Sequence, residues 1–204
     1  SDTPLTDIVC TELLLEAGVP GNAVQIVTGS GSKVGAWLTG DSRVDLVNLT
    51  GSTAVGVEIA RNSANNLHRL HLELGGNDAF VILEDTDLQK AVMESFYSRL
   101  FNAGQVCCAT KRFIVHNSIK KAYCDELIKQ LKTVKVGDPQ DPSVGCGPLI
   151  SIRAAEELEK GIVHSVAQGA QILYGGKRLD GSYFELTVME VKPEMDVARD
   201  LELF

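Results

Sequence analysis

The sequence has no Cys-x-x-Cys pair, no long apolar run and no surplus of basic residues. Its five cysteines, Cys10, Cys107, Cys108, Cys124 and Cys146, are odd in number and scattered. That spacing excludes a zinc finger and a secreted disulfide framework. Cys107 and Cys108 are adjacent, and neighbours rarely bridge because the closed ring is strained. The expected compartment is the reducing cytosol. His68, His71, His116 and His164 show no paired ligand spacing, so no metal is expected. No apolar stretch approaches the roughly 20 residues that span a bilayer, and no membrane partner is expected. The opening SDTPLTDIVC lacks a basic region followed by an apolar core, so it does not read as a signal peptide. It also lacks a starting Met and opens on a helix start, and so reads as an internal stretch of a longer protein. Nineteen basic against 27 acidic residues leave a net charge of −8. That balance disfavours nucleic acid, whose binding needs Lys and Arg to neutralise phosphates.

What is present supports a packed core. Hydrophobic residues make up 44% of 204, enough for one good-sized domain or two small ones. Thr3-Pro4 opens a helix on which Leu5, Ile8, Val9, Leu13 and Leu14 recur at helical spacing, and Gly18 and Pro20 end it. Val24 to Val27 reads as a short strand. Gly29, Gly31 and Gly35 punctuate a turn into a helix at about 32 to 39. A strand at 45 to 49, a helix from Ala54 to about Ala64 and a strand at 70 to 74 follow. Strands alternating with helices predict a parallel sheet. Gly75-Gly76 reads as a domain boundary. Beyond it, 79 to 83 and 112 to 115 read as buried strands. Asp85-Thr86-Asp87 caps a helix reaching about Leu100, and Asn117 or Ser118 caps the next. Residues 137 to 150 form a Pro/Gly loop. Ser151 starts a helix to about Gln168, and 172 to 174 and 184 to 191 supply short strands.

Three features carry candidate chemistry. The Gly29-Gly31-Gly35 spacing has one residue too many for the dinucleotide fingerprint, and reads as a tight turn. Thr50-Gly51-Ser52-Thr53 joins a strand to a helix N-terminus; it can cap that helix, hold a pyrophosphate, or do both. Glu73 stands at a strand end, where a carboxylate serves as a general base or simply faces solvent. Cys107 follows Gly104-Gln105-Val106. It reads either as a small buried hydrophobe or as a nucleophile, which must then be a thiolate with a base or oxyanion donor nearby.

In order along the chain stand Asp2-Thr3-Pro4-Leu5-Thr6, Leu49-Thr50-Gly51-Ser52-Thr53-Ala54-Val55-Gly56 and Leu72-Glu73-Leu74-Gly75-Gly76-Asn77. Phe101-Asn102-Ala103-Gly104-Gln105-Val106-Cys107, Gly137-Asp138-Pro139, Gly147-Pro148-Leu149-Ile150-Ser151, Gly175-Gly176-Lys177-Arg178 and Glu202-Leu203-Phe204 follow. Together they resemble the NAD(P)-dependent aldehyde dehydrogenase superfamily, with Glu-Leu-Gly-Gly and Gly-Gln-x-Cys the most specific. LELGGNDAFVILEDTDL and NAGQVCCATKRFIV are similar to its succinate-semialdehyde dehydrogenase-like branch.

The resemblance implies an α/β fold. Residues 1–75 would be part of a Rossmann-like parallel-sheet NAD(P)-binding domain, and 76–204 a C-terminally truncated α/β catalytic domain. It implies Cys107 as nucleophile, Glu73 as general base, Gly51 and Ser52 at the pyrophosphate, Glu202 at the nicotinamide ribose and Phe204 beside it. The cofactor would be NAD or NADP, the substrate a small aldehyde, and the longer parent a homo-oligomer. Asn102 is expected to be structural. Leu186 stands where the family has a Pro-Thr dipeptide, and Asp200-Leu201 where it has an acidic pair. The family's oxyanion-hole Asn lies before this chain's first residue. Loss of such a donor costs about 10²–10³ in rate, so the 204-residue chain is expected to be weakly active or inactive alone. The competing reading is a non-catalytic cofactor-binding or structural scaffold.

Overall fold

Pro4 presets the φ of a first helical turn, and α1 runs Pro4–Glu16 as expected. The computed structural model describes residues 3–204, and Asp2 of the opening motif lies outside them. The chain divides into two units, with the break between Gly75 and Gly76.

In the first unit, the apolar positions Leu5, Val9, Leu13 and Leu14 of α1 are exposed. Val24 to Val27, expected as a strand, joins no ladder. A strand is defined by its partner's hydrogen bonds, and none of the described strands pairs with this segment. A π-turn at Gly31–Gly35 leads into α2, Ala36–Gly40. A Cβ on Gly31 or Gly35 would meet nothing within 4 Å, in keeping with a simple turn. Then come β1 (Leu46–Thr50), α3 (Thr53–Ala64) and β2 (Arg69–Glu73). β1 and β2 are parallel, in register from Leu46↔Arg69 to Thr50↔Glu73.

The second unit holds the larger core. β3 (Ala79–Ile82) pairs in parallel with β4 (Arg112–Val115). Helices α4 (Leu88–Leu100) and α5 (Lys120–Leu131) pack on them through Ile82, Ala91, Val92, Tyr123, Leu127 and Leu131. The expectation of fully buried strands is corrected: Val81 and Ile114 are 60% and 52% exposed, because each strand has one neighbour and one covered face. Asp87 caps α4, accepting from the Lys90 amide at 3.1 Å. The expected cap of α5 is also corrected. Ile119 takes the N-cap position, and the Ser118 hydroxyl sits 2.8 Å from His116 Nδ1 instead. Helix α6 (Ile152–Ala167) is capped by Ser151 and lines a second core of Leu149, Ala155, Ile162 and Phe184. β5 (Gln171–Tyr174) and β6 (Val188–Glu190) are antiparallel. The expected strand at 184 to 191 shortens to β6 plus a bridge between Arg178 and Phe184, because the ladder shifts register between Ile172 and Tyr174. Among the described residues, no helix is long and apolar enough to cross a membrane.

Tyr123 is buried, and its hydroxyl donates to Ser95 Oγ at 2.7 Å; Ser95 in turn donates to the Ala91 carbonyl at 2.7 Å. Burial pushes the phenol up from 10.0 to about 12. Its contribution is therefore complete below pH 10 and lost as pH climbs toward 12, amounting to about 2–3 kcal/mol. Tyr123→Phe should flatten that alkaline decline at a cost of about 1 kcal/mol near neutrality. Urea unfolding across the alkaline range measures both; an unchanged alkaline slope in the variant counts against the buried phenol as its source.

Candidate active site

Because β1 and β2 are parallel and in register, both carboxyl ends fall at one edge. That edge is where ligands sit in open α/β sheets. The Gly51 amide donates to the Glu73 carbonyl at 3.0 Å, tying the loop after β1 to the end of β2. Ser52 is the N-cap of α3, and its hydroxyl accepts from the Val55 amide at 3.4 Å. The first turn of α3 carries no acidic side chain, and Gly51, Ser52 and Thr53 are exposed. A helix N-terminus of this kind, with positive dipole and a hydroxyl in place, fits a phosphate group. The capping role holds, and it leaves the loop open to an anion. Gly51, Ser52 and the exposed Glu73 are thus brought to one strand edge.

In the second unit, α4 ends in a turn, Phe101–Gly104, with three successive left-handed residues: Asn102 (φ 51°), Ala103 (φ 55°) and Gly104 (φ 77°). Such a run persists only where surroundings over-determine it. Gln105 supplies much of that restraint. Its Nε2 donates to the Asn102 carbonyl at 3.1 Å, and its Oε1 accepts from the Ile150 amide at 2.8 Å. Arg99 Nη1 donates to the Gly104 carbonyl at 3.1 Å and Nη2 to the Leu203 carbonyl at 2.9 Å. Burial lowers the Arg99 pKa, against the opposing pull of the Glu202 charge. Asn102 Nδ2 donates to the Gln105 carbonyl at 3.3 Å.

A tight turn follows, closed by the Ala109 amide on the Val106 carbonyl at 3.1 Å. It breaks the symmetry of the cysteine pair: Cys107 is half-buried and Cys108 exposed. Burial pushes the Cys124 and Cys146 thiols up, which makes them poor nucleophiles. The side chain of Lys111 is only 4% exposed. Its Nζ donates to the Cys107 carbonyl at 2.7 Å and to the Val106 and Ala109 carbonyls at 3.3 Å each. Glu202 Oε1 lies 3.1 Å from the same Nζ. That oxygen has no aligned hydrogen bond, so the contact is ionic rather than directional. Phe204, beyond Glu202, is 49% exposed. Among the described residues, no group of three His, Cys, Asp or Glu is placed to hold a metal ion.

The sequence drew attention to Cys107, Glu202 and Phe204 and missed Lys111 and Arg99, which join their segments. Gln105 lay in the motif but without a task. Lys111 gave no signal, since a Lys before a strand usually reads as solvated.

A parallel strand pair ending at a capped, acid-free helix N-terminus, and a separate α/β unit presenting a cysteine on a restrained turn, define an α/β protein with an anion-compatible loop and a displayed thiol. The model of the aldehyde dehydrogenase family matches residues 1–204. The chain belongs to that family. It is 35% identical to 3,6-anhydro-alpha-L-galactose dehydrogenase of Vibrio sp. (strain EJY3), covering 98% of this chain and 43% of that protein. It is also 35% identical to the mitochondrial succinate-semialdehyde dehydrogenase of Oryza sativa subsp. japonica, over 99% of this chain and 38% of that protein. Among solved structures, betaine aldehyde dehydrogenase from Staphylococcus aureus in complex with NAD+ superposes with a TM-score of 0.94 at 38% identity, over 98% of this chain and 41% of that one. Succinate-semialdehyde dehydrogenase from Burkholderia pseudomallei gives 0.91 at 37% identity, over 97% and 42%. The chain therefore spans less than half the length of the relatives it matches.

Proposed function

We propose that the protein carrying this chain oxidises an aldehyde to a carboxylic acid with NAD+ or NADP+, through a covalent adduct on Cys107. The observation that supports this best is the restrained turn 106–109, which holds Cys107 half-buried with Glu202 linked to the same turn. Residues 1–75 supply the pyrophosphate loop and the general base, and residues 76–204 the nucleophile and the contacts to the nicotinamide end. Gly51 and Ser52 hold the pyrophosphate at the α3 N-terminus, Glu202 the nicotinamide ribose, and Phe204 flanks it. When bound, the dinucleotide accepts a hydride from the substrate carbon.

The Cys107 thiolate adds to the aldehyde carbon, forming a C–S bond as the carbonyl oxygen takes the negative charge. Once the hydride has left, the carbonyl reforms and Cys107 carries the acyl group as a thioester. Glu73 then takes a proton from water, hydroxide adds to the thioester carbon, and the Cys107 thiolate leaves with the C–S electron pair. A semialdehyde with a second carboxylate, such as succinate semialdehyde, is the leading substrate class, since the relatives above include two succinate-semialdehyde dehydrogenases. The cytosolic setting and homo-oligomeric state expected from the sequence belong to the same reading.

A panel of aldehydes with each dinucleotide tests this in a polypeptide that carries the chain with the segments its longer relatives possess. Aldehyde-dependent NADH or NADPH formation is the expected result. Nucleotide binding without turnover on any aldehyde would favour the scaffold reading. Glu73→Gln should slow thioester hydrolysis about 10²-fold and leave an acyl mass on Cys107 after denaturation. No accumulated acyl group, with a normal rate, removes Glu73 from the role of base.

A further inference from the structure

Lys111 stands out in the second unit because a side chain 4% exposed normally carries no ammonium without cause. Its four partners account for it. Three are carbonyls of one turn, Val106, Cys107 and Ala109, and the fourth is the Glu202 carboxylate from far along the chain. The Cys108 carbonyl is not among them. Arg99 repeats the pattern next door, joining Gly104 to Leu203. Two cations thus stitch the cysteine turn to the 202–203 segment, and of the two it is Lys111 that bonds the Cys107 carbonyl and pairs with Glu202.

We infer that Lys111 is a positioning residue that couples Glu202 to the Cys107 turn: one ammonium fixes both, so whatever draws the Glu202 carboxylate away loosens the turn carrying the thiol. The physical ground is that the buried ammonium and the partly buried carboxylate stabilise each other, and leaving the ammonium unpaired is costly. With the carboxylate drawn away, the ammonium keeps its three carbonyls but loses its counter-charge, which weakens its hold on the buried site. Ligand contact at Glu202 is thereby transmitted to the nucleophile through a single side chain. The inference rests on Cys107 and Glu202 having the roles proposed above.

Its test needs neither aldehyde nor dinucleotide, so its failure leaves those roles standing and theirs leaves its data intact. In the 204-residue chain, iodoacetamide alkylation of Cys107 and Cys108 is followed by mass spectrometry, with Cys108 as internal reference. Lys111→Met should raise the Cys107 rate relative to Cys108 about tenfold, as the turn opens locally. Lys111→Arg keeps the charge and the donors and should hold the ratio within about threefold. Glu202→Gln should raise it about threefold in the native background and add nothing in Lys111→Met, the non-additivity expected of a shared partner. A merely structural Lys111 predicts that both cysteines change together, or that Glu202→Gln acts equally in both backgrounds; either result overturns the coupling. Should Lys111→Met not fold, Glu202→Gln decides alone: a rise at Cys107 with Cys108 steady supports the coupling, and no rise refutes it.

Discussion

Replacing Cys107 by serine is expected to lower aldehyde-dependent NADH or NADPH formation at least about 10³-fold. The reason is nucleophile chemistry rather than packing. A thiol is partly thiolate near neutrality, whereas a serine hydroxyl is not ionised and is activated only by a base placed against it. Serine is close in size, and the Cys107 carbonyl that Lys111 grips is retained, so the turn should keep its shape. Cys108→Ser is the control. Cys108 is exposed and its carbonyl lies outside the Lys111 set, so that variant should keep activity within about twofold. Initial rates at saturating dinucleotide measure both. If Cys108→Ser were the dead variant and Cys107→Ser the active one, the assignment would be reversed.

Gly175→Ala is expected to destabilise the second unit by about 3–5 kcal/mol. Two costs add. Gly175 has φ +65°, which an L side chain adopts only with strain. Its absent Cβ would also overlap the Leu186 carbonyl on the facing segment, which is backbone and cannot swing aside. Gly181→Ala separates the two. Gly181 has a similar φ of +62° with nothing within 4 Å of the missing Cβ, so it should lose only about 1–2 kcal/mol. Chemical denaturation of both variants reads the difference. Equal losses would show that backbone strain alone acts at Gly175.

Helix starts set by a neighbouring side chain were legible. Ser52, Asp87 and Ser151 each hydrogen-bond an amide three residues on, and the pattern is visible in the letters. The α5 start was not, because His116 drew the Ser118 hydroxyl away. Val24 to Val27 has strand composition, yet strand formation depends on a neighbour that composition does not supply. Strands expected to be buried on both faces are covered on one, since burial depends on how many layers pack against them.

The candidate site divides in the same way. By itself the sequence made Glu73 and Cys107 candidates through residue type and position, and its resemblance to a family added Glu202 to them. The tertiary structure decided what supports them. It turned two adjacent cysteines into one half-buried and one exposed thiol, and it buried Lys111 between the Cys107 turn and Glu202. An ion pair between residues so distant in sequence leaves no local trace, because its energy comes from the burial that folding creates.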